Sequence, residues 1–114
     1  MKKVLIIDDE TDLCFLLKVY LNLKHYDVVV ANTLVDGLQK INSYHPDILF
    51  LDNNLPDGMG WNMACAISDV NPRLKINLMT GQPNIAPQPC DEQFTIIEKP
   101  LSYSKIDSSL INQN

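Results

Sequence analysis

Four short apolar runs recur along the chain, and each stops abruptly at a polar residue. Lys3 to Ile7 reads K-V-L-I-I and stops at Asp8 and Asp9. Asp27 to Ala31 reads D-V-V-V-A and stops at Asn32, and Ile48 to Leu51 stops at Asp52. Lys75 to Met79 reads K-I-N-L-M and stops at Thr80 and Gly81. A run that is apolar at nearly every position, with no alternation, predicts a strand buried on both faces of a parallel sheet. Phe94 to Ile97 predicts a fifth strand, followed by Glu98, Lys99 and Pro100.

Between the runs the apolar positions change to helical spacing. From Thr11 to Lys24, residues Leu13, Leu16, Leu17, Tyr20 and Leu21 fall on one face of a helix. Thr33 is placed to cap a second helix running to about Ser43, with Leu34, Leu38 and Ile41 inward. A third spans roughly Trp61 to Val70, with Met63, Ala64, Ile67 and Val70 as its apolar face. Ser102 to about Asn112 predicts a short last helix, burying Leu101, Ile106 and Leu110. Only Gly81 to Gln93 breaks the alternation. Pro83, Pro87 and Pro89 leave no room there for a regular helix, so the fourth helix of such a fold is expected to be absent or reduced to a loop. Strands alternating with helices predict an α/β fold with a parallel sheet, helices on both faces and right-handed crossovers.

All carboxyl ends of a parallel sheet lie at one edge, which is where open α/β sheets bind ligands. The strand ends therefore bring Asp8, Asp9, Asp52, Thr80 and Lys99 to a common rim. Asp8, Asp9 and Asp52 are hard oxygen donors that repel one another unless a cation neutralises them, and Mg²⁺ suits such a set. Lys99 offers a point charge to a phosphoryl oxygen, Thr80 a hydroxyl, and a carboxylate can serve as a nucleophile toward phosphorus. Any one of these residues alone reads as a turn former or a helix cap. Their arrival at successive strand ends is what points to a site.

Composition narrows the rest. The chain has 114 residues, 46% of them hydrophobic, which is enough for one domain with a real core. A net charge of −5 argues against direct nucleic-acid binding and against an anionic membrane surface. No apolar run approaches a membrane span or a signal-peptide core, so the cytoplasm is the expected location. The three cysteines show no metal-ligand spacing. Cys14 and Cys65 read as small core or boundary residues, and Cys90 falls in the proline-rich segment. His25 and His45 read as surface residues at element ends.

The stretches I-I-D-D-E, L-D-N-N-L-P-D-G-M-G, M-T-G and E-K-P resemble the receiver domain of two-component response regulators. The resemblance covers essentially the whole chain, residues 1–114 as a single receiver domain, and is weakest between Gly81 and Phe94. It implies a flavodoxin-like, doubly wound, five-stranded parallel sheet in the order 2-1-3-4-5. It implies Asp52 as phosphoacceptor, with Mg²⁺ held by Asp8, Asp9, Asp52 and the backbone carbonyl of Asn54. Thr80 and Lys99 would bind the phosphoryl group and carry the switch. Pro100 would follow a cis peptide bond, and Asn54 and Gln82 would tune dephosphorylation. The implied partners are a histidine kinase or histidine phosphotransfer protein as donor and a downstream protein that the sequence does not identify.

A phosphoacceptor of this kind is not an enzyme, although it assists its own phosphorylation and dephosphorylation. A metal-dependent phosphatase would commonly carry an acid two residues after the nucleophile, where this chain has Asn54. Ile96 departs from the pattern, standing where many receivers carry an aromatic ring that moves with the threonine. Tyr103, beyond the Lys-Pro pair, is not a simple substitute. Ile96 and the missing helix support a second reading, a constitutive protein-interaction module of receiver fold with an uncoupled switch.

Overall fold

The computed structural model describes residues 1–82 and 94–111. Strands β1 (Lys3–Ile7), β2 (Asp27–Ala31) and β3 (Ile48–Asp52) are followed by a small hairpin, β4 (Asn54–Leu55) and β5 (Gly58–Met59), then by β6 (Lys75–Thr80) and β7 (Thr95–Glu98). Helices α1 (Thr11–Leu23), α2 (Leu34–Tyr44), α3 (Ala64–Val70) and α4 (Tyr103–Ile111) lie between and after them. The main sheet is parallel throughout, in the order β2-β1-β3-β6-β7. With the hairpin strands set aside, this is the expected order 2-1-3-4-5. Of the segment expected to lack a helix, Gly81 to Gln93, only Gly81 and Gln82 are described; 83–93, with Cys90, lies outside the described residues.

The all-apolar strands are buried because helices cover both faces. Leu5, Ile7, Leu49, Leu51 and Leu78 pack with Ile41, Trp61, Ala64 and Ile67 on the side of α2 and α3. Val4, Ile6, Phe50 and Met79 pack with Cys14, Leu17, Leu21, Ile106 and Leu110 on the side of α1 and α4. Adjacent strand residues point to opposite faces, so each run feeds both cores at once.

Helix α1 corrects the expected face. Cys14, Leu17 and Leu21 are buried, whereas Leu16 is 65% exposed. Phe15, Val19 and Leu23 are also exposed. The helix thus carries apolar residues on two sides, and spacing alone chose a face rotated from the true one. Val70 is likewise exposed at the end of α3 instead of buried. The third helix begins as a 3₁₀ turn over Gly60–Met63 and becomes α-helical at Ala64. The fifth strand starts one residue later than its apolar run. Cys65 is half-buried on α3, a boundary position. His25 and His45 do end elements, and both adopt left-handed backbone, φ 70° and 54°.

Candidate functional site

The register of the ladder assembles the rim. Ile7 pairs with Leu51, which sets Asp8 level with Asp52. Asp52 pairs with Met79, so Thr80 lies one residue further on. Thr80 pairs with Glu98, which brings Lys99 next. Each carboxyl end is also pinned locally. Asp8 N–H donates to the Ala31 carbonyl at 3.0 Å, and Lys99 N–H to the Thr80 carbonyl at 2.7 Å.

Asp8, Asp9 and Asp52 each offer a carboxylate oxygen, and these lie within 4.8 Å of one another. Asp8 and Asp52 are buried, and Asp9 is exposed. The Lys99 ammonium reaches in from β7, 2.9 Å from Asp8 Oδ2, 3.3 Å from Asp52 Oδ1 and 3.6 Å from Glu10 Oε2. Asp8 Oδ1 accepts the Glu10 N–H at 2.9 Å. Asp8 Oδ2 is buried and, among the described residues, receives no well-directed hydrogen bond; its partner there is the Lys99 ammonium.

These neighbours set the charge states. Desolvation pushes the Asp52 carboxyl up, and the charge of Asp8 adds to it; Lys99 only partly offsets both, leaving Asp52 at about 6. Burial opposes the Lys99 charge, but the bond to Asp8 and the fields of Asp8, Asp52 and Glu10 outweigh it and hold its ammonium above the usual range. One ammonium among these carboxylates leaves a surplus of negative charge in a poorly hydrated place. A buried oxygen lacking a directed donor and an oxygen-only ligand set together fit a hard divalent cation such as Mg²⁺.

The other expected residues fall as follows. Thr80 is buried at the rim, and its hydroxyl is engaged with Gln82, accepting from Gln82 N–H at 3.0 Å and lying 3.1 Å from its carbonyl. Asn54 is exposed on β4, paired with Met59. The Lys99–Pro100 bond is cis. Ile96 is 46% exposed on β7. Tyr103 stacks on Tyr20 of α1, with ring centroids 4.1 Å apart, and so belongs to the α1–α4 side.

Three contributors escaped sequence reasoning. Glu10 joins the Lys99 ion pairs, and its signal was its place right after the two aspartates. Asn32 Nδ2 donates to the Asp8 carbonyl at 2.9 Å, fixing the acidic turn from the end of β2. Asn53 is buried, and its side-chain and backbone oxygens accept from Trp61 N–H at 3.3 Å and Gly60 N–H at 2.9 Å. The return of the hairpin passes so close to β3 that a Cβ on Gly60 would collide with the Asp52 carbonyl and lie 2.9 Å from Leu51 Cδ1. Gly60→Ala is therefore expected to cost about 2–3 kcal/mol, the upper part of the range for overpacking, because backbone cannot yield as a side chain can. Urea denaturation would measure it, and a midpoint equal to the native one would show that the hairpin relaxes freely.

Comparison with known proteins agrees with this geometry. The family model described as response regulator receiver domain matches residues 4–110. The transcriptional regulatory protein YxdJ of Bacillus subtilis is 30% identical over 99% of this chain, and the chain spans 50% of that protein's length. The transcriptional regulatory protein KdpE of Staphylococcus aureus is 35% identical over 68% of the chain, the match covering 32% of KdpE. Among solved structures, the response regulator TrrA of Thermotoga maritima, in complex with Mg(2+)-BeF, superposes with a TM-score of 0.87 at 24% identity, covering 100% of both chains. A CheY-like receiver domain from Methanospirillum hungatei superposes at 0.83 with 27% identity, covering 99% of this chain and 96% of that one. Parallel-sheet order, acidic rim and family match lead to one conclusion: this chain belongs to the response regulator receiver domain family.

Proposed function

We propose that the chain is a single receiver domain that accepts a phosphoryl group on Asp52 from a phosphohistidine of a histidine kinase or phosphotransfer protein. The observation that carries this reading is the Lys99 ammonium set between the buried carboxylates of Asp8 and Asp52, at 2.9 and 3.3 Å. In the transfer an Asp52 oxygen attacks phosphorus. The P–O bond to Asp52 forms as the P–N bond breaks, and the leaving imidazole takes up a proton. In the metal-free site burial and the charge of Asp8 push the Asp52 carboxyl up to about 6, so at neutral pH it is still largely ionised and available as the nucleophile. Asp8, Asp9 and Asp52, with the Asn54 carbonyl, would hold Mg²⁺, which when bound supplies charge neutralisation for the phosphoryl oxygens.

Lys99 already faces Asp52 and is placed to pair with a phosphoryl oxygen there. Thr80 would exchange its bonds to Gln82 for a bond to the phosphoryl group, which ties the segment after β6 to the state of Asp52. Gln82 and Asn54 would tune hydrolysis of the acyl phosphate. The domain is a signalling phosphoacceptor and not a turnover enzyme. Among the described residues no helix is long and apolar enough to cross a membrane, and we place the domain in the cytoplasm. The output is a change in protein–protein affinity.

Beryllofluoride with Mg²⁺ tests the reading through Trp61, which is buried beside the site with its indole N–H 3.4 Å from the Leu51 carbonyl. A saturable fluorescence change is expected in the native protein and none in Asp52→Asn; equal responses in the two would sink the assignment. Ile96, aliphatic and half in solvent, favours the uncoupled module as a second reading. Under that reading beryllofluoride still binds, but partner affinity and amide shifts beyond the site stay unchanged.

A further inference from the structure

The hairpin that follows Asp52 does not hang from β3 alone. Its tip, Pro56-Asp57, reaches across to the start of α2. There Asp57 Oδ1 accepts the Leu34 N–H at 2.7 Å and Oδ2 accepts the Val35 N–H at 2.9 Å. Thr33 Oγ1 accepts the Asp36 N–H at 3.1 Å, and the Thr33 carbonyl accepts the Gly37 N–H at 3.0 Å. The orphan donors of the first turn are thus shared between a local cap and a carboxylate more than 20 residues away in sequence. The helix pole and two charge-assisted bonds make this a strong polar tie from the hairpin to α2. Those bonds, first from Val35 and then from Leu34, hold the Asp57 carboxyl below the usual range.

Helix α2 is in turn seated on the other half of the acidic rim. Gly37 lies flat on Ile7, so close that a Cβ there would collide with the Ile7 side chain. Ile7 is the residue before Asp8. At the hairpin's other end, Gly60 lies against the Asp52 carbonyl. A continuous path therefore runs from Asp8 through Ile7, Gly37 and α2 to Asp57, and back through the hairpin to Asn54 and Asp52. Among the described residues Asp57 is the side chain that makes a polar link in that path, and its bonds run to Leu34 and Val35, not to the rim carboxylates.

We infer that Asp57 is a positioning residue for the metal site. Its two bonds to α2 hold the hairpin so that the Asn54 carbonyl and Asp52 keep their spacing from Asp8 and Asp9. This rests on the Mg²⁺ reading above. Groups hydrogen-bonded directly to metal ligands typically cost 10–100-fold in metal affinity when removed, and Asp57, which bonds only the α2 amides, belongs at the foot of that range.

The experiment compares native protein, Asp57→Ala, Asp57→Asn and Thr33→Ala. Mg²⁺ is titrated by Trp61 fluorescence, and hydrogen exchange of the 53–60 amides is followed in EDTA. Asp57→Ala is expected to weaken Mg²⁺ roughly 10-fold and to speed exchange at Gly60, whose N–H bonds to Asn53. Asp57→Asn, which keeps one acceptor oxygen, recovers part of both. Thr33→Ala removes a cap bond of the same helix without loosening the hairpin, so it lowers the melting temperature and leaves Mg²⁺ affinity within twofold of native. Unchanged affinity in Asp57→Ala, or equal weakening in Thr33→Ala, would overturn the proposal while leaving the metal site standing. A native protein with no saturable Mg²⁺ response would overturn both, and the exchange data would still report whether Asp57 anchors the hairpin.

Discussion

Lys99→Ala is expected to lower stability at pH 7 in metal-free buffer by about 3 kcal/mol, the cost of breaking a buried ion pair and stranding its partners. The side chain is only 12% exposed and stands between two buried carboxylates. The charge is what matters, and the variant should show that in two ways. Acid should narrow the deficit, since protonating Asp52 relieves the repulsion that Lys99 opposes. Mg²⁺ should narrow it too, by supplying the missing positive charge. Chemical denaturation of native and variant at pH 5 and pH 7, with and without Mg²⁺, measures all three. A deficit indifferent to pH and to Mg²⁺ would mean that Lys99 acts by packing alone.

Asp52→Asn should move stability the other way. Asp52 is held at about 6, against 3.8 for an ordinary aspartate. A raised folded-state value means that the folded protein binds the proton more tightly than the unfolded chain. Stability is then highest below the unfolded value, falls as pH rises from about 4 to about 6, and levels off above. At neutral pH the ionised carboxyl costs the native protein about 3 kcal/mol, from a shift of about two units at 1.36 kcal/mol each. The amide carries no such cost, so Asp52→Asn is expected to be the more stable protein at pH 7 in EDTA. The two should converge near pH 4. Saturating Mg²⁺ should reverse the order, because it binds the folded native site and not the variant. A variant less stable than native at pH 7, or one keeping the same slope between pH 4 and 6, would contradict the charge distribution described above. The site is held together at a cost to the fold, as expected where like charges are gathered for chemistry.

The strand ends were the most legible feature of the sequence. An apolar run that stops at Asp52 reads as a doubly buried strand meeting the rim, because burial on both faces leaves no other pattern. Parallel order brings those ends to one edge, and the register, Ile7 with Leu51 and Thr80 with Glu98, levels them. The inward face of α1 was not legible, because Leu16 and Cys14 satisfy the same spacing from two apolar sides. The β4–β5 hairpin was hidden for another reason. Two-residue strands have no periodicity, and Pro56-Asp57-Gly58 signals only a turn. Asp57 reads as a turn former for the same reason, and its bonds to Leu34 and Val35 depend on a tertiary approach that no local pattern encodes. Asn32, noted as a polar strand end, gave no sign of holding the Asp8 carbonyl.

The central claim is that the carboxylate at the end of β3, flanked by Asp8, Asp9 and Lys99, accepts a phosphoryl group. Incubation with Mg²⁺ and acetyl phosphate, followed at once by intact-mass measurement, tests it most directly. The native protein should gain one phosphoryl mass that is lost with EDTA present during the reaction, and Asp52→Asn should gain none. An undiminished adduct in Asp52→Asn, or no adduct in folded native protein saturated with Mg²⁺, would contradict it.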